Sequence, residues 1–273
     1  MKAVSRTSVF VIILAMVTNQ NSADEVASKQ PVRQPVKLPG LVIDFQKQCV
    51  DLDATVCLDR GYLELIACTK GSKEHESIVA ITARPMHVHT ALLLLGGNNG
   101  NPAIRKPVDK EKTRWVELPP RGDSIDVFLV VENSKGETIE RPVSDFVKRA
   151  KDHLDEDDDN ESHKLKDATK KGAADTADRF PNTFLFAGSQ LRDRGKAPRQ
   201  YLADQSGHVI SIATFGDELL CLPSVHSQEN GALMWRVDST HLPKVGSKVT
   251  LRLRPRRKAK KPPNAERTNE GIN

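Results

Sequence analysis

Long apolar runs are what this 273-residue chain most lacks. Its best, Val9 to Val17 (VFVIILAMV), falls well short of the ~20 residues that cross a bilayer as a helix, so no transmembrane span is expected in the mature chain. Hydrophobic residues make up 38% and charged residues 28%, too polar a balance for every segment to sit in a core. Cysteines number only four, and none stands near the N-terminus, which argues against a lipid-modified start.

What the N-terminus does hold is a leader pattern. Lys2 and Arg6 precede the apolar run, polar Thr18 to Ser22 follow, and Ala23 is a small residue before Asp24. This is the layout of a secretory signal peptide over residues 1–23, with a linker over 24–39, and the chain is expected to be exported to the periplasm or beyond. Two later segments read as disordered: the charged insertion at 151–180 and the basic, proline-containing tail at 256–273. The tail carries much of the net positive charge and suits an anionic envelope surface. An exported chain whose charge sits in a tail argues against nucleic acid as a partner.

Between these segments the pattern is mostly β. Val50, Leu52, Ala54, Val56 and Leu58 alternate with polar residues, as a half-buried strand does. Asp59-Arg60-Gly61 reads as a turn, with Tyr62 to Cys68 returning as the second arm of a hairpin. Cys49 and Cys57 on the first arm are ~26 Å apart at ~3.3 Å per residue, so they cannot bridge. In that hairpin Cys68 meets neither, leaving at most one disulfide, through Cys221, and Cys68 as a buried free thiol. Ser77 to Thr82 is a further strand. Pro85 starts a helix that stops at Gly96-Gly97, and Leu92 to Leu95 leave it no polar face, so it is expected to be buried all round. Later strands are read at 113–118, 125–132, 137–141, 183–189, 199–203, 208–213, 233–237 and 248–254, with short helices at 143–150 and 217–220. The expected fold is α+β and β-rich, mainly antiparallel, with one buried helix.

Six blocks carry a family resemblance: YLELIACTKGSKEHESIVAI, HTALLLLGGNNGNPA, FLFAGS, YLADQSGHVISI, LPSVHSQENGAL and HLPKVGSKVTLRLRP. In content and order they resemble the YdjY-domain family of exported bacterial proteins, from about Leu41 to Pro255, within a domain read as 40–255. The resemblance implies an extracytoplasmic location and no particular reaction, substrate or cofactor. Its motif falls on Cys68, Gly71, Lys73, Glu74, His75 and Glu76, with His89 from the helix. In the second half it falls on Tyr201, Asp204, Ser227, Asn230 and Thr240.

Those residues suggest two chemistries. Cys68, His75 and His89 are ligand types that zinc takes, and three with an open position would suit a catalytic ion, although Cys-x6-His-x13-His matches no standard zinc module. His87 points away from His89 on a helix and stays outside that set. Nucleophilic catalysis by Ser77 or Cys68 lacks a Gly-x-Ser-x-Gly elbow or any local cysteine signature. The acidic run at 155–159 fails as a calcium loop, with Asn160 and Lys166 where glycine and glutamate are needed. The bland alternative is a polar network that holds a turn and lines a pocket, drawing on Lys73, Glu74, His75, Glu76, His89, Tyr201 and Asp204. The balance favours a non-catalytic binding or accessory module with no cofactor and an unknown partner. A metal- or thiol-dependent enzyme using Cys68, His75 and His89, with zinc as its ion, stands as the alternative.

Overall fold

A computed structural model describes residues 33–256 apart from 112, 134, 151–178, 194, 196–197 and 228–232. The segment read as a signal peptide, most of that read as a linker, residues 151–178 of the charged insertion, residues 257–273 of the basic tail, and Asn230 therefore lie outside the described residues.

Eight strands carry the domain: β1 (Cys49–Val56), β2 (Leu65–Thr69), β3 (Ser77–Ile81), β4 (Ser124–Glu132), β5 (Thr183–Phe186), β6 (His208–Ser211), β7 (Leu220–Cys221) and β8 (Lys248–Pro255). They hydrogen-bond in the order β1-β8-β4-β5-β7-β6-β2-β3, and β3 pairs again with β1. The ring closes into an eight-stranded barrel. This overturns the expected α+β fold of mainly antiparallel strands with one buried helix, while the β-rich character stands. Two ladders of the ring, β2–β3 and β6–β7, are parallel. A second helix is also present, α2 (Leu202–Ser206), after α1 (Pro85–Leu94).

Side-chain alternation explains one wall. Val50, Leu52, Ala54 and Val56 of β1, Ile125, Val127, Leu129 and Val131 of β4, and Val249, Leu251 and Leu253 of β8 are all buried. Their alternate neighbours are wetter, as period-two strands with one solvated face require. On that outer face Arg252 donates to both oxygens of Asp51 at 2.6 Å and to Glu140 at 2.7 Å, tying β8 to its flanks. The opposite wall is different. β3 and β6 are buried at every position and β2 at all but its last, so both of their faces are covered.

The expected hairpin does not form. After Gly61 the chain swings away, Tyr62 bridges Arg236, and β3 rather than β2 lies against β1. A five-residue strand apolar on both faces needs neighbours on each side, and β3 finds β1 and β2 there. Its parallel pairing with β2 obliges residues 70–76 to run back along the barrel wall, with Glu74–Glu76 as a 3-10 turn.

Other expectations shift locally. The helix read at 143–150 is a 3-10 turn, Val143–Phe146, followed by a strand, Val147–Arg149. The strand read at 199–203 keeps only Gln200–Tyr201 before α2 begins. The helical turn read at 217–220 gives way to β7. Val36–Leu38, assigned to the linker, pairs with Leu41–Asp44 as a strand, and Phe180 at the insertion's end is buried. Helix α1 starts at Pro85 as read, but it buries one side only: Val88, Ala91 and Leu92 are covered, while Leu93 and Leu94 are 44% and 52% exposed. Among the described residues no helix is long and apolar enough to cross a membrane.

Candidate functional site

The return segment 70–76 turns at Gly71, whose φ of +84° is a left-handed conformation that favours glycine. Ser72 Oγ donates to Thr69 O at 2.6 Å, and the Gly71 N–H donates to Glu74 Oε1, so both polar side chains serve the turn. The next residue turns inward. Lys73 Nζ lies 3.0 Å from Glu64 Oε2 and 2.9 Å from Glu76 Oε2, and 5.0 Å from the Phe215 ring centre. Burial pushes Glu64 above the usual carboxylate range, helped by its hydrogen bond with Glu76. Burial also raises Glu76, but its bonds with Glu64 and Lys73 prevail and leave it lowered. Desolvation works against the Lys73 charge, and the two carboxylates more than restore it.

Phe215 joins this group to a second one. It stacks on His208, ring centres 3.9 Å apart, and His208 Nδ1 meets Asp217 Oδ1 at 2.6 Å. Burial raises Asp217, but the His208 hydrogen bond and charge outweigh it and hold the carboxyl low. Beneath them Glu218 is fully buried. Its Oε2 accepts the N–H groups of Phe215 and Asp217, its Oε1 has no hydrogen-bond partner among the described residues, and burial raises its pKa above the usual carboxylate range.

A third group surrounds α1. His89 Nδ1 lies 2.9 Å from the Tyr201 hydroxyl, which donates to Gly188 O at 3.0 Å. With the hydroxyl proton committed to Gly188, Nδ1 must be the donor to Tyr201, which fixes the neutral tautomer. Burial lowers the His89 pKa, in keeping with a neutral ring. The same burial drives the Tyr201 phenol far above its usual range. Arg84 at the start of α1 offers no side-chain cap, and Asp204 of α2 supplies one instead, accepting from Met86 N at 2.9 Å and from Arg84 Nε at 3.1 Å.

Helix α2 thus touches both neighbourhoods. Its first half holds α1 through Asp204. At its end Gly207, at φ +80°, packs so closely that a Cβ would stand 2.3 Å from Ser72 Oγ and 2.6 Å from Thr69 Oγ1.

The motif residues are therefore divided. Lys73 and Glu76 share one network, and His89, Tyr201 and Asp204 belong to another. His75 is 72% exposed and its ring reaches Glu76 at 3.3 Å. Cys68, His75 and His89 do not converge, and among the described residues no group of three or more His, Cys, Asp or Glu is placed to hold a metal. Cys68 is wholly buried, and its strand neighbour across the β2–β6 ladder is His208. All four cysteines are free thiols. Thr240 bonds Asp238 within its own turn. Glu64, His208, Phe215, Asp217 and Glu218 were missed from sequence; His208 stands in the block that holds Asp204, which was the available signal.

Room for a ligand lies elsewhere. A cleft of about 500 Å³ opens over β1, β4 and β8, lined by Asp53, Thr55, Thr82, Glu132, Thr138 and Lys248 among others, and by none of the motif residues. Comparison with known proteins gives one match, a family model described as the YdjY domain, over residues 41–254. No curated protein and no solved structure matches the chain.

Proposed function

Because the chain belongs to the YdjY domain family, we propose that it works outside the cytoplasm as a binding or accessory module without catalysis of its own. One observation carries this reading: charged groups in and around the motif are engaged with each other. Lys73 holds two carboxylates, Asp217 holds His208, and Asp204 holds Arg84 and the first turn of α1. A general acid or base must reach a substrate proton within hydrogen-bond distance. The cleft described over β1, β4 and β8 is lined by other residues. Cys68, the nucleophile candidate, is covered on all sides. The network then acts as a brace that fixes the crossover and α1 to the barrel, and the polar cleft over β1, β4 and β8 is the part shaped to take a ligand.

The test is a broad hydrolase and oxidoreductase substrate panel on purified protein. No turnover above buffer is expected. Robust turnover that disappears in Cys68→Ser or His208→Asn would refute the reading and promote the thiol-dependent enzyme. Export is tested separately, by fusing residues 1–40 to a reporter that is active only outside the cytoplasm; an inactive fusion would reject it.

A further inference from the structure

One face of the barrel treats its carboxylates unequally. On the outer side of β1, β4 and the neighbouring strand Thr138–Pro142, Asp51, Asp126 and Glu140 each take an arginine: Arg252 at 2.6 Å, Arg256 at 2.9 Å and Arg254 at 2.8 Å. Asp53 and Glu132 share that face and line the cleft, and among the described residues their carboxylates have no hydrogen bond or ion pair. Lys248 supplies the positive charge of the lining. The β4–β8 register, carried two residues past Val130 and Thr250, sets it beside Glu132, yet its Nζ lies 2.8 Å from Thr55 Oγ1 instead. The ladders also fix a span. Asp53 faces Thr250, which faces Val130. Glu132 therefore stands two strands across from Asp53 and two residues along, ~12 Å at ~4.8 Å per strand and ~3.4 Å per residue.

We propose that this cleft takes a dibasic amino acid of the lysine type, its carboxylate on Lys248 and its two ammonium groups on Asp53 and Glu132. The inference rests on the cleft being the ligand site of a binding module, and it names the class of ligand. Charge sets the first requirement. Two carboxylates against one ammonium leave the lining negative, and a dibasic amino acid at neutral pH is positive. Length sets the second. The two nitrogens of extended lysine lie ~7 Å apart by bond lengths. With each of them ~2.8 Å from a carboxylate, the ligand bridges ~12 Å. A single divalent cation cannot, because metal–oxygen distances of ~2.0–2.6 Å draw its ligands far closer together than that.

The rest of the lining suits such a ligand. Thr82, Thr138 and Thr250 offer hydroxyls that no protein group engages among the described residues. Thr82 stands beside Asp53, its N–H donating to Asp53 O at 3.3 Å, and Thr138 is the register partner of Glu132. Each hydroxyl can accept from an ammonium or donate to a carboxylate. An ammonium has three donors, so Lys248 keeps Thr55 while it adds the ligand carboxylate. Val130, opposite Thr250, gives the methylene chain an apolar contact. No aromatic residue lines the cleft, so a nucleobase finds no ring to stack on. The volume of about 500 Å³ falls within the range of small-molecule sites.

Isothermal titration of the full chain with L-lysine tests the assignment. One equivalent is expected to bind saturably. Asp53→Asn, Glu132→Gln and Lys248→Met should each weaken it at least ~10-fold, the effect of losing one charge-assisted hydrogen bond. Glu111→Gln removes an equal charge outside the cleft and should bind as the parent does. Norleucine lacks the second ammonium and cadaverine the carboxylate, so on the parent each should bind at least ~10-fold more weakly than lysine. Should a variant fail to fold, this ligand series on the parent decides. No saturable binding of lysine, equal binding of norleucine or cadaverine, or binding unchanged in folded Asp53→Asn and Glu132→Gln would each overturn the proposal. With the substrate panel blank, those results leave the binding-module reading standing. Lysine that binds and is chemically converted, as read by NMR of the titrated solution, would uphold the ligand class and refute the non-catalytic reading instead.

Discussion

Replacing Lys73 with methionine keeps the length of the side chain and removes its charge from between Glu64 and Glu76. At 3.0 and 2.9 Å, each contact is about 5 kcal/mol of attraction at an effective dielectric of ~20, before desolvation. Three partly buried groups lose water to make them, which offsets most of that gain. Lys73 is still 30% exposed, so the full ~3–5 kcal/mol for breaking a buried pair overstates the loss. About 2–4 kcal/mol is expected at pH 7, including ~0.5–1 kcal/mol from the Phe215 ring contact. The loss has a pH signature. Glu64 already sits above the usual range, so its neutral form is the one the fold prefers, and its charge weighs against folding as pH rises. Without the ammonium Glu64 rises further and the lowering of Glu76 is lost, so acidification from pH 7 to 5 relieves their repulsion by protonation. Urea unfolding at the two pH values should therefore show a deficit that narrows on acidification. An equal deficit at both, or one under ~0.5 kcal/mol, would refute the argument.

Three other outcomes follow from the same geometry. Asp204→Ala removes the borrowed cap of α1, and should cost ~1–2 kcal/mol and speed exchange at the Met86 amide, as read by hydrogen–deuterium exchange. Asp217 contributes stability that is in full above the ordinary carboxylate value of 3.8 and is lost as pH falls through its lowered folded value; Asp217→Asn should flatten that acid limb of a thermal melt. Tyr201→Phe leaves His89 Nδ1 and Gly188 O without the shared hydroxyl, at about 1 kcal/mol. Because His89 is lowered, it weighs against the fold as pH drops below its ordinary 6.5, and its NMR titration midpoint should sit below that value in the parent.

Legibility from the sequence tracked solvent contact. The wall with one wet face announced itself through alternation, as in Ser124–Glu132 and Lys248–Pro255, and α1 through Pro85 and the glycines after Leu95. Leu65–Thr69, Ser77–Ile81 and His208–Ser211 are covered on both faces, so they carry no period that says which strand lies beside which. Barrel closure and the parallel ladders were invisible for that reason. The site divides likewise. Lys73 and Glu76 are three residues apart and could be read as neighbours, but the partners of His89 and of Arg84 come from 112 and 120 residues away. A Cys68, His75, His89 triad looked possible only because their separation in the chain was short.

The β1–β8 ladder joins residues about two hundred positions apart, Asp51 with Arg252 for instance. Loop-closure entropy for such a contact must be met before the contact rewards it, which slows folding. Since β8 also pairs with β4, the ring stays open on two sides until the last strand is made. Until then the edges of β1 and β4 are exposed to any other chain that offers a strand. The nascent protein is thus most prone to aggregate late in its synthesis, and a truncation before Lys248 would leave that hazard permanent.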